Sequence, residues 1–547
     1  MDGFPALFAG RRRTLLLRLI ANGVGQGAVA GAFALGLRDV LDGDAGLSLP
    51  VVVALWGSVL ATGTLRWLER VDAERLGQSY IDRIRLRLFD HLGRVAPERL
   101  RRIRHGALSL RFVGDLSALR LWASRGLARV WTAGAMTLGV VAVLAWLDWR
   151  FACAAGGVLA LGALAAYVGA GALDASVRRA RRRRGRFAAA IDEQLSRLPT
   201  IQAYARRDAE KAAIVERSRR VRRAAVALAH RSGLMIAISA TVVGTSTLSV
   251  ALIGHSDATH SRGTLLAALL LVSLLATPLH RLGRVFELWR SAIVAREKVR
   301  SLLEIAPLAS PGAEVAPLPK GPGAIEFAQV AIPGCPTPLD AVVAPGERVL
   351  IASDPGIEAS LLLWALPRLT DAVTGTIRID GRDIAEAAPG SLRRAAVLVS
   401  ESLPLLRGSL IDNLRYRAPG ARLDEIDRIL DRCGLREAVE RMPRGLETPL
   451  GSDGFGLARA ERWRLRWARA LLGRPRILLF EDVDAQIQGE NRDAFFAMLE
   501  RFRGTVLMTG RDGADWPRTI RRWRLSTAAP MRAGGSSPAT LLERHGT

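Results

Sequence analysis

The chain is poor in cysteine. Its 547 residues include three, Cys153, Cys335 and Cys433, which lie far apart in the sequence. None of them shows the short spacing of a zinc site, and three isolated thiols do not make a disulfide framework. The sequence therefore excludes a disulfide-stapled secreted domain and a cysteine-based zinc module. We expect three ordinary thiols.

Acidic residues are scarce relative to basic ones. Asp and Glu number 52 against 78 Lys and Arg, for a formal net charge of +26. In a soluble protein this excess would indicate nucleic-acid binding. Here 49% of the residues are hydrophobic although 24% are charged, a mixture typical of apolar membrane spans that alternate with charged soluble parts. We therefore assign the positive charge to the cytoplasmic parts of a membrane protein and predict no nucleic-acid partner.

Six apolar stretches occupy the first 300 residues, each close to the roughly 20 residues with which a helix crosses a bilayer. They run over about Leu15–Leu37, Leu47–Trp67, Val130–Trp146, Phe151–Leu173, Leu234–Ile253 and Thr264–Leu282. The first follows a basic cluster at Arg11–Arg13, and such a cluster before an apolar run can also form a signal peptide. Because further spans follow, we interpret it as an uncleaved first span.

The connections between these stretches are of two kinds. Asp39–Asp44, Leu147–Arg150 and His255–Arg262 are short and have no excess of positive charge. Glu69–Arg129 and Asp174–Arg231 are each about 60 residues long and strongly basic. The positive-inside rule predicts that the long basic connections are cytoplasmic and the short ones external.

A change of composition divides the chain. Pro307–Gly323 is rich in proline and glycine, which is typical of a linker. After it, strand-like runs such as Arg348–Ala352 and Ile477–Phe480 alternate with helical segments and predict an α/β domain. The tail after Ser526 is predicted to be a flexible end. The predicted domains are a transmembrane domain over 1–305, a linker over 306–323 and an α/β domain over 324–547.

This order of parts resembles the half-transporters of the ABC exporter family. In the membrane half, Pro97–Leu119 and Leu198–Glu210 are similar to the two cytoplasmic loops that carry the family's coupling helices. In the globular half, similar stretches follow in the family's order at Pro345–Ala352, Gly375–Ile384, Leu410–Tyr416, Gly445–Gly456 and Ala468–Leu479. The resemblance covers almost the whole chain. It implies a membrane all-α, six-helix exporter-type transmembrane domain plus a cytoplasmic α/β ABC-type P-loop nucleotide-binding domain.

The phosphate loop departs from the family pattern G-x-x-x-x-G-K-[ST], in which backbone N–H groups and a lysine hold the phosphates. Ser353 and Glu358 stand at the two glycine positions, and Ala359 stands at the lysine position. Gly356 remains inside the loop, and Ser360 is the one candidate magnesium ligand. Glu358 places a negative charge at the phosphate position, where like charges about 4 Å apart repel by roughly 1 kcal/mol in water. We expect ATP and Mg²⁺ to bind weakly at most.

The other nucleotide-binding motifs depart from the family pattern as well. The signature L-S-G-G-Q aligns with Leu457, Ala458, Arg459, Ala460 and Glu461, which removes the serine and both glycines. The Walker B pair reads Glu481–Asp482 instead of Asp–Glu, so each carboxylate reaches one methylene too far or too short, and general-base geometry tolerates little displacement. Glu401 stands at the Q-loop position, and Gly510 stands at the switch histidine position. No confident catalytic residue or metal ligand is left.

Together these patterns predict a subunit of an ABC exporter-like membrane transporter with degenerate ATP sites. We expect it not to hydrolyse ATP by itself, and to work as a homodimer or as a heterodimer with a competent half-transporter. A non-transporting membrane scaffold or regulatory pseudo-transporter is one alternative, and a weak noncanonical ATP-driven exporter is another. The expected location is a bacterial-type cytoplasmic (inner) membrane, with the bilayer as partner, the nucleotide-binding domain in the cytoplasm and an unidentified small-molecule, lipid or peptide substrate.

Overall fold

The computed structural model describes residues 4, 9–43, 48–101, 103, 108, 111–256, 260–275, 282–308, 316–487, 489–513 and 516–527. The predicted flexible tail therefore lies almost wholly outside the described residues, as does 309–315 of the predicted linker. The chain divides into two compact units. The helical unit comprises Met1–Gly93 and Ile103–Ile305, and the sheet unit comprises Arg94–Arg102 and Ala306–Thr547.

The helical unit is built mostly from long helices, with one short helix between two of them. Their bounds are α1 Arg11–Leu41, α2 Leu49–Leu92, α4 Arg111–Leu147, α5 Trp149–Ser196, α6 Leu198–Ala203, α7 Arg207–Ser256, α8 Arg262–Leu274 and α9 Leu282–Leu303, while α3 Pro97–Arg101 belongs to the sheet unit. Within the described residues, α1, α2, α4 and α7 are each long and apolar enough to cross a membrane, and Trp149–Ala165 and α8 are shorter apolar helices. The predicted sixth stretch is helical as far as Leu274, and 276–281 lie outside the described residues. The helical unit is that of a multi-pass membrane protein.

The predicted long basic connections are largely helical. At 1.5 Å per residue, the 44 residues of α2 span about 66 Å, which is twice the roughly 30 Å of a bilayer core. Beyond the apolar stretch, Tyr80, Ile84 and Leu88 on one face of α2 are buried, in a cluster that also includes Leu119 of α4 and Val299 of α9. The i, i+4 spacing of these apolar residues explains why this basic segment stays helical.

Glycines bring α1 close to α4. A Cβ atom added to Gly23 would lie 2.5 Å from the carbonyl oxygen of Thr132, and one added to Gly27 would lie 3.2 Å from that of Met136. Small residues at i and i+4 on one helix let two backbones approach closely, which is a common way to pack helices in a membrane. The polar side chains of α1 thereby come within reach of α2 and α4.

Within the described residues, the sheet unit contains three sheets. A parallel sheet has the order β11-β3-β10-β9-β6, an antiparallel sheet has the order β2-β1-β4-β5, and β7 pairs with β8. The strands are β1 Ile325–Ala331, β2 Leu339–Val343, β3 Arg348–Ser353, β4 Thr374–Ile379, β5 Arg382–Asp383, β6 Ala396–Val399, β7 Gly408–Ser409, β8 Pro449–Leu450, β9 Ile477–Phe480, β10 Thr505–Thr509 and β11 Arg521–Leu525. The helices are α10 Ser360–Ala365, α11 Pro389–Ala395, α12 Leu410–Arg415, α13 Leu423–Arg432, α14 Arg436–Glu440, α15 Arg459–Leu472 and α16 Glu490–Arg501.

The central strands of the parallel sheet are buried on both faces. Leu350 and Leu478 pack into one apolar cluster, and their neighbours Val349 and Leu479 pack into the other. This alternation follows from the two-residue period of a strand, and burial on both faces explains the continuous apolar run Ile477–Phe480. Because parallel strands end at the same edge of a sheet, the residues that follow β3, β6, β9 and β10 gather there.

Candidate nucleotide site

An open cleft of about 1130 Å³ lies at this carboxyl edge of the parallel sheet. Seven of the positions predicted from the motifs line it: Ser353, Glu358, Ala359, Ser360, Glu481, Asp482 and Gly510. Gly356, Glu401 and the signature residues are not among the residues that line it. The fold therefore brings the phosphate-loop, Walker B and switch positions together within one chain.

The loop at the phosphate position is closed on itself. Ile357 and Ala359 are buried in the apolar core, whereas Glu358 between them is exposed. The N–H group of Ile357 donates to the carbonyl of Asp354 at 3.2 Å, and that of Ala359 donates to the carbonyl of Ile357 at 3.1 Å. Two backbone donors that an anion-binding loop would direct at its ligand are thus used inside the loop.

A second backbone segment packs against this loop. A Cβ atom on Gly334 would lie 2.2 Å from the carbonyl oxygen of Gly356, a distance that no side chain tolerates. Both glycines adopt positive φ angles, of 83° and 96°. Glycine at both positions therefore permits a contact that holds the closed conformation of the loop.

Glu481, at the first Walker B position, is held by two neutral donors. The indole N–H of Trp364 on α10 donates to its Oε1 at 2.9 Å, and the hydroxyl of Ser400 donates to its Oε2. The motifs pointed to neither residue. Ser400 directly follows β6, which pairs with β9, so its place beside Glu481 could have been inferred from the strand order. Trp364 carries no such signal, because its position depends on how α10 packs.

The second Walker B residue, Asp482, lies in a crowded acidic environment. Its backbone is left-handed with φ of 49°, and its N–H group donates to Oγ1 of Thr509 at 3.0 Å. The same Thr509 hydroxyl lies 3.5 Å from Oγ of Ser360. Partial burial raises the pKa of Asp482, and the nearby carboxylates Glu481, Asp484 and Glu401 raise it further. The negative charge is therefore less stable here than on an isolated aspartate.

The cleft as a whole carries negative charge, although the protein carries a net +26. It is lined by the carboxylates of Glu98, Asp354, Glu358, Glu481, Asp482, Asp484 and Asp512 and by the guanidinium groups of Arg101, Arg511 and Arg524. Seven acidic and three basic groups give a formal charge of −4. Two of the three arginines already form ion pairs, Arg511 with Asp484 at 3.6 Å and Arg524 with Asp354 at 3.5 Å.

The Q-loop position and the signature positions form a second group. Arg459 at the start of α15 pairs with Glu401 at 3.5 Å, which joins the signature and Q-loop positions. Glu461 caps the same helix end, because its Oε2 accepts the N–H group of Ala458 at 2.8 Å. A carboxylate of the chain itself therefore occupies a helix N-terminus that could otherwise face an anion. Ala460 follows Arg459 in this first turn, and Leu457 packs into the core.

The switch position has little room for a side chain. A Cβ atom on Gly510 would lie 2.9 Å from Oδ1 of Asp484 and 3.3 Å from a methyl group of Val483. Asp484 would have to move before an imidazole could be accommodated. Whether the altered positions have lost nucleotide chemistry stays a prediction.

Comparisons with known proteins agree with this architecture. The family described as ABC transporter transmembrane region matches residues 14–279, and the family described as ABC transporter matches residues 337–484. The multidrug efflux ATP-binding/permease protein of Mycobacterium tuberculosis is 26% identical over 502 residues, covering 89% of this chain. This chain spans only 40% of that relative's length. The ATP-dependent lipid A-core flippase of Burkholderia thailandensis is 30% identical over 273 residues, 48% of this chain and 44% of the flippase.

A solved structure agrees over nearly the full length. A bacterial Atm1-family ABC exporter with ATP bound superposes with a TM-score of 0.75 and covers 91% of each chain at 21% sequence identity. At this identity the likeness concerns the fold. The chain therefore joins an ABC transporter transmembrane region to an ABC transporter domain, in the fold of an exporter half-transporter.

Proposed function

We propose that this chain is a subunit of an ABC exporter-like transporter that does not bind ATP tightly or hydrolyse it at its own nucleotide site. The observation that carries the proposal is the charge of the cleft, formally −4 where a polyanionic nucleotide would lie. Each pair of like charges about 4 Å apart costs about 1 kcal/mol in water and several-fold more where the pair is partly buried. About 1.4 kcal/mol already weakens binding tenfold.

The state of the loop supports the same conclusion. Phosphate binding would have to break the internal hydrogen bonds of Ile357 and Ala359 and expose two buried side chains. No lysine stands at the motif position to compensate for this cost. In a P-loop site, the Walker B carboxylate and the loop hydroxyl hold Mg²⁺. Here Glu481 accepts from Trp364 and Ser400 instead, so metal binding would compete with both donors.

A dimeric arrangement is part of the proposal. Phe455 lies between Gly454 and Gly456, both with positive φ angles, and 78% of its surface is exposed. Arg459, four residues further on, is also exposed, and its ion pair with Glu401 is worth at most about 1 kcal/mol. Exposed aromatic and arginine side chains are enriched in protein interfaces. A second copy or a competent half-transporter is the partner that this fold implies.

Nucleotide binding tests the proposal directly. The full-length protein in nanodiscs is titrated with Mg-ATP by calorimetry, and we expect no binding at about 1 mM nucleotide. If weak binding is found at higher concentration, Glu358→Gln should strengthen it about tenfold. Glu386→Gln removes the same charge from an exposed site outside the cleft and should leave affinity unchanged. Micromolar binding by the unaltered protein, with hydrolysis lost in Asp482→Asn, would instead identify a noncanonical ATPase.

The dimeric arrangement is tested by measuring the molecular mass of the purified protein in solution. We expect the purified protein, or the protein co-expressed with a half-transporter that has intact motifs, to form a dimer that Phe455→Ser and Arg459→Glu weaken. Transport that appears only with the competent partner would support a heterodimer. A monomer that neither dimerises nor supports transport with any partner would leave the scaffold interpretation.

A further inference from the structure

A cleft lined by arginines lies between α5 and α7 of the helical unit. Its volume is about 300 Å³. Five arginines and three small residues line it: Arg179, Arg183, Arg220, Arg223, Arg231, Ser176, Ala224 and Ala227. We call these eight residues the basic cleft. Among the described residues no carboxylate lines it, so its formal charge is +5.

One end of the basic cleft is fixed by contacts within the protein. The Ser176 hydroxyl of α5 is buried and accepts from a guanidinium N–H group of Arg231 on α7 at 2.6 Å. Close to them in the sequence, Val177 of α5 and Met235 of α7 pack in one apolar cluster. The hydrogen bond and this cluster set the spacing of the two helices at this end.

The two helices run antiparallel. Further along α5 from Ser176, the side-chain amide of Gln194 donates to the carboxylate of Glu210 on α7 at 2.6 Å. Between these two levels, the antiparallel register places Arg183 and Arg223 at the same height on the two helices, and both residues line the basic cleft. Arginine side chains from both helices therefore converge on the same space.

Within the part of the chain that the structure describes, no carboxylate pairs with Arg183 or Arg223, and both side chains are exposed. Arg220 pairs with Glu216 of its own helix at 3.0 Å, and the exposure of both side chains keeps that pair weak. Guanidinium groups that converge in one cleft repel each other. An oxyanion between them removes the repulsion and accepts forked hydrogen bonds, so the basic cleft is suited to a phosphate-bearing ligand.

The basic cleft begins where the apolar stretches end. Ser176 follows the stretch Phe151–Leu173 by three residues, and Arg231 precedes the stretch Leu234–Ile253 by three residues. At 1.5 Å per residue, the helix from Ser176 to Arg183 extends about 10 Å away from the apolar part. The head-group layer on each side of a bilayer core is about 5–8 Å thick. The basic cleft therefore covers the depth at which lipid phosphates lie.

Exposed apolar side chains continue this surface into the hydrocarbon layer. Leu161 lies eighteen residues before Arg179, which is five helical turns, so the two side chains lie on the same face of α5. On α7, Leu234 lies about one turn after Arg231. Leu161 and Leu234 are 68% and 58% exposed. A lipid with its head group in the basic cleft would place its acyl chains along them.

A nucleotide fits the basic cleft less well than a lipid. None of the described lining residues is aromatic, so a base would find no ring on which to stack. A free phosphate compound would have to be captured from dilute solution, whereas the membrane holds lipid head groups beside the cleft at high local concentration. Basic pockets between membrane helices on the cytoplasmic side bind head groups that carry several phosphates. A single phosphodiester has one negative charge, and five arginines are better matched by two.

We propose that the basic cleft binds the head group of an anionic lipid with two phosphates, from the leaflet that faces the cytoplasm. Arg183 and Arg223 bind the head group from opposite sides, and the acyl chains lie along the apolar parts of α5 and α7. The lipid neutralises the arginines and thereby stabilises the packing of the two helices. It is a bound partner at the rim of the membrane domain and not cargo. Its binding does not depend on whether the sheet unit binds nucleotide.

Native mass spectrometry tests the occupant. The full-length protein is released from nanodiscs that contain equal amounts of phosphatidylcholine, phosphatidylglycerol and cardiolipin, and the retained lipids are identified. We expect cardiolipin, which carries two phosphates, to be retained about tenfold more than phosphatidylglycerol, and phosphatidylcholine to be lost. Equal retention of the two anionic lipids would overturn the two-phosphate site. Displacement of cardiolipin by inorganic pyrophosphate below about 1 mM would overturn the lipid and identify a soluble phosphate compound as the occupant.

Paired variants locate the site. Arg183→Gln combined with Arg223→Gln should lower cardiolipin retention about tenfold or more, and Arg183→Lys combined with Arg223→Lys should lower it less because the charge remains. Arg182→Gln combined with Arg222→Gln is the matched control, since both side chains are exposed on the same helices and neither lines the cleft. The control should change retention less than about twofold. Equal losses in the two glutamine pairs, or unchanged retention in the first pair, would refute the site.

Discussion

The hydrogen bond between Trp364 and Glu481 can be removed by a substitution that keeps an aromatic ring in the same place. Trp364→Phe deletes the indole N–H group that donates to Oε1 of Glu481 at 2.9 Å and leaves Ser400 as the remaining donor. Hydrogen bonds to charged acceptors contribute about 1.5–3 kcal/mol. The smaller ring also loses about 40 Å² of apolar contact, or about 1 kcal/mol at roughly 25 cal/mol per Å². The expected loss of stability is about 2.5–4 kcal/mol.

Trp523 offers a matched control in the same unit. It is as deeply buried as Trp364, and its indole nitrogen has no hydrogen-bond partner within the described residues. Trp523→Phe removes a similar ring but no hydrogen bond, so we expect it to cost about 1 kcal/mol or less. For a unit of this size, 1 kcal/mol corresponds to about 2–4 °C in Tm. The two variants should therefore differ by about 3–12 °C.

The assay is thermal unfolding of the full-length protein in detergent, with the sheet unit followed by calorimetry and by protease resistance. A double-mutant cycle with Glu481→Met isolates the contact, and we expect a coupling energy of about 1.5 kcal/mol or more. Equal shifts for Trp364→Phe and Trp523→Phe, or coupling below about 0.5 kcal/mol, would refute the reasoning. Ser400 would then be the only one of these two donors that holds Glu481, and the case for weak Mg²⁺ binding would lose half of its structural support.

Three further outcomes follow from the sheet unit. The pKa of Asp482 is raised, so its contribution to stability is present below the ordinary aspartate pKa and is lost as pH rises through the folded-state value. Asp482→Asn should therefore increase the free energy of unfolding at pH 7 by at most about 1 kcal/mol, since the group is only partly buried, and should change it little at pH 4; thermal unfolding at the two pH values measures this. Gly334→Ala should cost more than about 2 kcal/mol because of its positive φ angle and the Gly356 carbonyl, whereas Gly381→Ala, with φ of 78° and open space around it, should cost about 1 kcal/mol, as measured by urea unfolding. Burial raises the pKa of the Cys433 thiol to about 12, so at pH 8 Cys433 should stay unlabelled by a maleimide until the sheet unit unfolds, as mass spectrometry of peptides would show.

The architecture was predictable because it depends on patterns within short segments. Six apolar stretches predicted membrane spans, and within the described residues four of them lie on helices that are long and apolar enough to cross a membrane, while the other two lie on shorter apolar helices. The burial of Ile477–Phe480 on both faces confirms the strand expected from its apolar run. The predicted domain boundaries stay predictions, although the two structural units divide close to residue 306.

The contacts within the candidate sites were not predictable in this way. Trp364 and Ser400 are separated from Glu481 by 117 and 81 residues in sequence, so no motif joins them. In the helical unit, Glu69 lies just past the apolar stretch that we predicted to end at Trp67, yet it contacts the middle of α1 through Gln26. The contacts of Trp364 with Glu481 and of Gln26 with Glu69 depend on how helices pack, and the residue types alone do not determine that packing.

The sequence by itself determined the order of parts, the positions of the apolar spans and the identity of every altered motif residue, because periodicity, charge and spacing are properties of the chain. Tertiary structure decided what those residues face. It placed the side chains of Ile357 and Ala359 in the core and that of Glu358 on the surface. It also brought carboxylates from separate strand ends together in a cleft of formal charge −4. Within the part of the chain that the structure describes, it also left the Ser124 hydroxyl buried without a hydrogen-bond partner. Electrostatic energy and hydrogen bonding depend on distance in space, and only the packed chain sets those distances.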